Sequence, residues 1–201
     1  MVFAADLPHG TNLAVLKRLG FALAAEGHVA ELDRDPVTAA GDYLAAVRLG
    51  QEQSRGGLII DSLVGIAVES IGLTPLEKLA PGLDAKECRK LATELERSEA
   101  RRESARTFIA NDDRWARRAL GWRYYYYRLI SLRTHAATVR SYSARYAAIE
   151  IRTRLLVLTL AARAYELERG HRPANPAELV PEYLHAVPLD PLTGTNLVSI
   201  P

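Results

Sequence analysis

An apolar stripe between residues 142 and 160 constrains the fold more than any other feature of the sequence. It consists of Tyr142, Tyr146, Ile149, Thr153, Leu156 and Leu160, which follow one another at steps of four and three. At roughly 100° per residue these positions fall within an arc of about 80°, which is one face of an α-helix. Gly170 is a good C-terminal stop, so the sequence predicts one long helix that ends there.

Capping residues and glycines divide the earlier part of the chain into further helices. Thr11 is predicted to cap a first helix that ends at Gly27. Asp35-Pro36 places a capping carboxylate before a proline, which opens a second helix. The predicted inner face of that helix consists of Ala40, Leu44 and Val47. A third helix, residues 58–71, is apolar on most sides and is expected at the centre of the packing.

Two capping boxes mark shorter helices in the middle of the chain. Residues 74–77 (Thr-Pro-Leu-Glu) predict a short helix that is ended by a Pro-Gly pair. Residues 84–87 (Asp-Ala-Lys-Glu) predict the next helix by the same logic. Residues 98–123 are charged and weakly apolar, which predicts helix with a break at the polar run 111–113.

The predicted fold class is all-α, an irregular antiparallel stack of roughly seven helices arranged as hairpins. The first two helices loosely resemble a tetratricopeptide pair, through a Leu-Gly step at Leu19 and regularly spaced alanines around Tyr43. Residues 1–170 are predicted to form the helical domain. Residues 171–201 are predicted to form an irregular, proline-rich tail that packs on it.

Turn signals dominate the predicted tail. Asn175 is expected to cap a short helix, and residues 190–194 (Asp-Pro-Leu-Thr-Gly) predict a turn. Residues 196–200 carry the one candidate strand in the sequence. The tail is therefore predicted to differ in kind from the helices before it.

Composition is that of a chain able to build a core, with 48% hydrophobic and 25% charged residues among 201. The single cysteine, Cys88, excludes an intramolecular disulfide framework and a cysteine-rich zinc site, and is predicted to be a small buried residue. Residues 1–100 carry a net charge of −5 and residues 101–201 a net charge of +7. Such asymmetry suits either an anionic partner or two halves that pack on each other.

The sequence also predicts where the protein resides. The apolar stretch from Leu58 to Leu73 is interrupted by Asp61 and Glu69. A second stretch, Leu155 to Ala162, is far shorter than the roughly 20 residues that a bilayer needs. The first six residues lack the basic and apolar regions of a signal peptide. A soluble, cytoplasmic protein is expected. The alternative is a cell-envelope protein whose anchor lies upstream of this chain.

No catalytic, cofactor-binding or metal-binding residues are predicted, and no cofactor. The five histidines are scattered, and none forms a ligand pair at helical spacing. Asp61 and Glu69 lie eight residues apart, on nearly the same helix face; because buried carboxylates are costly unless paired, they are expected to face solvent or to meet arginines. The alternative is an enzyme or small-molecule-binding site that assembles only in three dimensions, with these two residues, His135 and the arginines as the first candidates.

Residues 114–154 form the most unusual stretch, with ten arginines and one acid, Glu150. The interleaved aromatic residues are Trp115, Trp122, Tyr124, Tyr125, Tyr126, Tyr127, Tyr142 and Tyr146. Arginine and aromatic side chains together bind nucleic acid or lie at an anionic membrane surface. The sequence favours a third interpretation, in which the aromatic residues are core and the arginines form the solvated face. The residues predicted for an interaction surface are Arg114, Trp115, Arg117, Arg118, Trp122, Arg123 and Arg128.

The arginines of the last helix are predicted to be split between two sides. Arg145, Arg152 and Arg163 lie on one flank of the apolar stripe, whereas Arg140 and Arg154 lie on the far side. The flank arginines are expected to contact acidic residues of the N-terminal half or to lie along apolar surface. Binding to anionic vesicles or nucleic acid is accordingly predicted to be weak and abolished by moderate salt.

The tail resembles that of the major pseudopilins of type II secretion over residues 161–201. The resemblance rests on a helix end at Tyr165 and Gly170, on Arg172-Pro173, on Glu178-Leu-Val, and on Val187-Pro-Leu-Asp-Pro191. The whole chain resembles uncharacterised bacterial helical proteins that carry this tail behind a Gly-Gly-x-x-Ile-Asp helix, here residues 56–67. The resemblance implies a tail conformation and neither filament assembly nor metal ligands, because the pseudopilin leader and calcium-binding aspartates have no counterpart here.

These observations favour a non-catalytic helical scaffold or protein-interaction module, associated with the cell envelope if an anchor precedes it. Its expected partner is another protein. An anionic membrane surface is an alternative partner, and nucleic acid ranks below it. The oligomeric state does not follow from the sequence.

Overall fold

The long helix predicted from the stripe at residues 142–160 is present in the structure. The structure is a computed structural model, which describes residues 9–197 and their side chains from residue 13 onward. The helices are α1 His9–Leu32, α2 Pro36–Gln53, α3 Ile59–Leu79, α4 Ala85–Ala100, α5 Ala105–Leu120, α6 Arg123–Ile130 and α7 Leu132–Arg169. Over the described range the only β-pairing is one isolated bridge, between Leu189 and Asn196. The predicted all-α class is confirmed, while the tetratricopeptide-like pairing stays a prediction.

Helix α7 buries the whole predicted stripe. All six stripe residues are buried, and Gly170 caps the helix with a left-handed φ of 78°. The Tyr142 hydroxyl donates to Ser62 Oγ at 2.9 Å and the Thr153 hydroxyl to Glu69 Oε1 at 2.9 Å, so α7 runs parallel to α3. The core also includes Leu91 and Leu95 of α4.

Helices α2 and α3 cross at backbone contact through small residues. A Cβ atom on Gly65 would lie 2.5 Å from the Gly50 carbonyl oxygen, and one on Gly72 would lie 2.8 Å from the Val47 nitrogen. These two contacts show that the helices are antiparallel and in a fixed register. Glycine is required at such positions because no other residue leaves the backbones room to approach.

Two helix ends predicted from the sequence are wrong. Gly27 does not end α1, which continues to Leu32, because Gly27 lies in the helix where it crosses the Tyr43 ring. The box at residues 74–77 does not start a helix, since α3 runs through Pro75 to Leu79. Thr74 bonds back to the Ser70 carbonyl at 2.9 Å instead of capping.

The predicted break at residues 111–113 is also wrong, because α5 is continuous there. These polar side chains have the composition of a helix cap, but they do not cap a helix because they bond to other elements of the fold. The Asn111 amide donates to the Gly57 carbonyl at 3.0 Å, and Asp113 accepts from the Tyr124 hydroxyl at 3.1 Å. The predicted caps at Asp35 and Asp84 are confirmed.

Residues after Gly170 pack on the helices. Asn175 caps the predicted short helix, which is a 3-10 helix at Pro176–Leu179, and residues 190–194 form the predicted turn. Leu179, Tyr183 and Leu184 join the main core. The candidate strand at 196–200 is represented only by the bridge at Asn196, and its last three residues lie outside the described range.

Helix α3 is longer than the apolar stretch expected from the sequence. With the turn that follows, Ile59–Gly82 is the one helix in the described residues long and apolar enough to cross a membrane, and 44% of its most apolar window is buried. The central helix of a soluble bundle has the same properties. Here it packs against α1, α2 and α7, and it carries the buried carboxylate of Glu69.

Candidate interaction surface

The arginine–aromatic stretch divides into two parts with different roles. In the second part, Tyr142 and Tyr146 are buried with Phe108, as the core interpretation predicted. Arg152 pairs with Glu77 of α3 at 2.6 Å, as expected for a flank arginine. Arg154 pairs with Glu150 on its own helix. This part of α7 is therefore structural.

The first part, residues 114–133, is an exposed elbow formed by the end of α5, by α6 and by the start of α7. The bulky apolar residues exposed on it are Trp115, Trp122, Tyr125, Tyr126, Tyr127, Leu129, Ile130 and Leu132. Of the aromatic residues in the elbow, Tyr124 alone is buried. The expectation that the aromatic residues of this stretch are core is therefore wrong for five of the eight.

Contacts near the base of the elbow fix it to the bundle. Phe108 of α5 is buried against Tyr146 of α7, with ring centroids 5.8 Å apart. Asp113 ties α5 to α6, because it accepts from the Tyr124 hydroxyl at 3.1 Å and from Arg128 at 3.5 Å. Gly121 makes the bend between these helices with a φ of 55°. The elbow is thus held at its base, and its outer surface remains exposed.

All but one of the predicted surface residues lie on the outside of the elbow. Arg114, Trp115, Arg117, Arg118, Trp122 and Arg123 are exposed, whereas Arg128 is half-buried in its contact with Asp113. Two of the arginines lie over aromatic rings. Arg117 is 5.4 Å from the Tyr124 ring centroid and Arg123 is 5.9 Å from that of Trp122.

The exposed surface of the elbow is larger than the sequence predicts. Five further residues are exposed, namely Tyr125 (69%), Tyr126 (59%), Tyr127 (49%), Leu129 (67%) and Ile130 (63%). A signal was available, since these positions span about 200° of a helix, far wider than the stripe that one packing face requires. A helix of that kind is either buried on all sides or left uncovered.

Charge on the elbow has one sign. Residues 114–133 contain six arginines and no acid, and the next acidic residue along the chain is Glu150. The neighbouring Asp113 is partly screened by Tyr124 and Arg128. The elbow therefore combines exposed aromatic and aliphatic side chains with an uncompensated positive field.

A second polar cluster lies inside the bundle where α4 ends. Arg102 Nη1 donates to Glu69 Oε2 at 3.1 Å, and Arg102 Nε donates to Glu99 Oε1 at 2.7 Å. The Gln51 amide and the Thr153 hydroxyl complete the shell of Glu69 at 2.8 and 2.9 Å. The cluster links α2, α3, α4 and α7 just before the chain enters α5. It meets the expectation that Glu69 pairs with an arginine.

Asp61, the other carboxylate singled out, has a different role. It is buried and accepts from the Leu58 backbone N–H at 2.8 Å, so it caps the start of α3 rather than meeting an arginine. No hydrogen bond in the described range joins any two of Asp61, Glu69 and His135. The structure does not bring these suspects into one site.

Glu99 should make stability depend on pH. Burial raises its pKa from the ordinary 4.5 to about 7, against the opposing effect of Arg102. The folded state therefore binds the proton more tightly than the unfolded state, and stability falls as pH rises from about 4.5 to about 7. Over this pH range the free energy of unfolding of the wild-type protein should fall by about 3 kcal/mol more than that of Glu99→Gln, because glutamine does not titrate. Urea unfolding of both proteins from pH 5 to 8 measures it; parallel curves would contradict the assignment.

Three other features that can support chemistry are a cysteine, potential metal ligands and a cleft. Cys88 is fully buried, as predicted, and burial raises the pKa of its thiol to about 11. No group of three potential ligands for a metal ion occurs in the described residues. A cleft of about 280 Å³ lies between α7 and the tail, where Arg163 pairs with Glu166 at 3.2 Å.

Comparison with known proteins adds no assignment. No protein-family model, no curated protein and no solved structure matches the chain.

Proposed function

We propose that the protein is a non-catalytic helical module that docks on a partner through the elbow. The observation that carries the proposal is the exposure of eight bulky apolar residues among six arginines within 20 consecutive positions. Clustered exposure of large apolar side chains marks interaction sites in proteins whose cores are otherwise well packed. The bundle then serves as a rigid support, since its core and its ionic cluster hold the base of α5.

Two features of the tail accord with the resemblance to pseudopilins. Gly170 ends the long helix, and a capped 3-10 helix follows it at Pro176–Leu179. We keep the resemblance as a proposal about the shape of the tail. Location at the cell envelope is likewise a proposal, and it accords with a docking function.

Photo-crosslinking in living cells tests the docking function. Tyr126, on the outside of the elbow, is replaced by p-benzoylphenylalanine in the full chain. The matched control places the same group at Val37, which is exposed on α2. We expect light-dependent adducts from position 126 that position 37 does not form. Equal labelling at both positions would contradict docking through the elbow, whatever the chemical nature of the adducts.

A further inference from the structure

The geometry points to a lipid bilayer containing anionic lipids as the surface on which the elbow docks, an inference that rests on the proposed docking function. The elbow would lie in the headgroup region, with its arginines at phosphate groups and its aromatic and aliphatic side chains at the boundary of the acyl chains. The bundle remains on the aqueous side.

Charge complementarity identifies an anionic surface. Five of the six arginines, all except Arg128, have no acidic partner among the described residues. No acidic residue lies between Arg114 and Glu150, so the field of these arginines is not cancelled along the chain. Guanidinium groups match phosphate in shape and charge. Five arginines without an acidic partner, within 20 consecutive residues, therefore favour a surface of phosphate headgroups.

The distribution of apolar side chains favours a fluid surface over a protein partner. Tyr125, Leu129, Tyr126, Ile130 and Tyr127 follow one another around α6 over about 200°. A folded protein covers one face of a helix, and its groove requires a stripe of roughly 100°. A bilayer surrounds a projecting tip from every side and needs no such stripe.

The types of side chain distinguish a bilayer from nucleic acid. Tryptophan and tyrosine are the residues enriched at the level of lipid headgroups, where one end of the ring is apolar and the other is wet. Leu129, Ile130 and Leu132 are exposed aliphatic residues that offer a base neither stacking nor a hydrogen bond. Their place in a bilayer is the acyl boundary.

For the elbow we expect stronger binding to anionic vesicles than the arginines of the last helix predict. That expectation rested on arginines split between two sides of α7, and Arg152 and Arg154 are indeed paired with acids. The arginines of the elbow belong to α5, α6 and the first turn of α7. We therefore expect binding that persists at physiological ionic strength, because apolar insertion adds to the screened electrostatic attraction.

Tryptophan fluorescence gives a direct test, because Trp115 and Trp122 are the only tryptophans of the chain and both are exposed on the elbow. The full chain is titrated with vesicles of phosphatidylcholine containing about 30% phosphatidylglycerol, and with pure phosphatidylcholine, in about 0.15 M salt. We expect a saturable blue shift with the anionic vesicles and co-flotation of the protein. Trp122→Phe should leave a smaller shift that reports Trp115.

Two charge variants give a matched comparison. Replacement of Arg117, Arg118 and Arg123 by Gln should weaken vesicle binding roughly 100-fold. The control removes the same charge from the rest of the surface, by replacing the exposed arginines Arg18, Arg34 and Arg106 with Gln. We expect it to retain binding within about threefold. Circular dichroism verifies that both variants keep their helices.

Three results would overturn the lipid assignment. The first is the absence of a blue shift with anionic vesicles. The second is an equal loss of binding in both charge variants, which would mean that vesicle binding depends on the net charge of the protein and not on the arginines of the elbow. The third is tighter binding to a single-stranded RNA than to vesicles in about 0.15 M salt.

If position 126 still forms adducts with a protein in cells, the docking function stands and the lipid surface is wrong. If it forms none, both fail.

Discussion

Gly65→Ala is expected to destabilise the protein by about 3 kcal/mol or more, although alanine is the better helix former by about 1 kcal/mol. The added methyl group would lie 2.5 Å from the Gly50 carbonyl oxygen and 2.9 Å from Ser54 Cβ. Neither the backbone atom nor the facing helix can move without separating α2 from α3. The separation would open the contacts at Gly72 and weaken the pairing of the two central helices.

A second glycine supplies the control for this prediction. Gly41 lies on the exposed side of α2, and a Cβ atom there would meet nothing within 4 Å. We expect Gly41→Ala to stabilise the protein by about 0.5–1 kcal/mol, which is the helix-propensity gain alone. Urea denaturation of both variants measures the difference. If Gly65→Ala is as harmless as Gly41→Ala, the close approach of α2 and α3 is wrong.

The sequence predicts which face of a helix is buried, but it does not predict which helix packs against that face. The stripe of α7 was predictable residue by residue, because periodicity reports a buried face directly. The identity of Gly65 as a helix contact was not, since it depends on which helix lies opposite. Gly27 shows the same limit, because its role as a place for the Tyr43 ring is indistinguishable in sequence from a helix stop.

Local signals failed where a side chain had a distant partner. Thr74 and Glu77 have the spacing of a capping box, but Glu77 pairs with Arg152, 75 positions away. The same reason explains why the sequence predicts an arginine partner for Glu69 but not the rest of the ionic cluster, whose members come from four helices and the loop after α4. The elbow was predicted in part. Composition indicates its arginines and tryptophans, but the exposure of its tyrosines and aliphatic residues depends on the tertiary structure, in which no described element covers the outer surface of α6.

Arg102→Met is expected to cost about 3–5 kcal/mol of unfolding free energy at pH 8, because it leaves two buried carboxylates without their cation. The Arg102 side chain is 7% exposed, and those of Glu69 and Glu99 are 1% and 8% exposed. Methionine keeps most of the volume and removes the charge, so the loss reports the uncompensated carboxylates rather than a cavity. Arg154 lies 3.6 Å from Glu99, and within the described residues it forms no ion pair with Glu69.

The pH dependence of this loss distinguishes an electrostatic cause from a packing defect. Without Arg102 the pKa of Glu99, which burial already raises, should rise further, so that the destabilisation shrinks as pH falls and this carboxylate takes up a proton. Arg97→Met is the matched control, on α4 shortly before the loop that holds Arg102. Arg97 is 64% exposed, and its ion pair within the described residues is with Glu94 at 3.0 Å, so its loss should cost less than about 1 kcal/mol. Denaturation at pH 8 and pH 5 measures both variants. A loss for Arg102→Met that is independent of pH would mean that the cluster contributes shape alone. A loss confined to high pH would establish that the base of the elbow is held by charge.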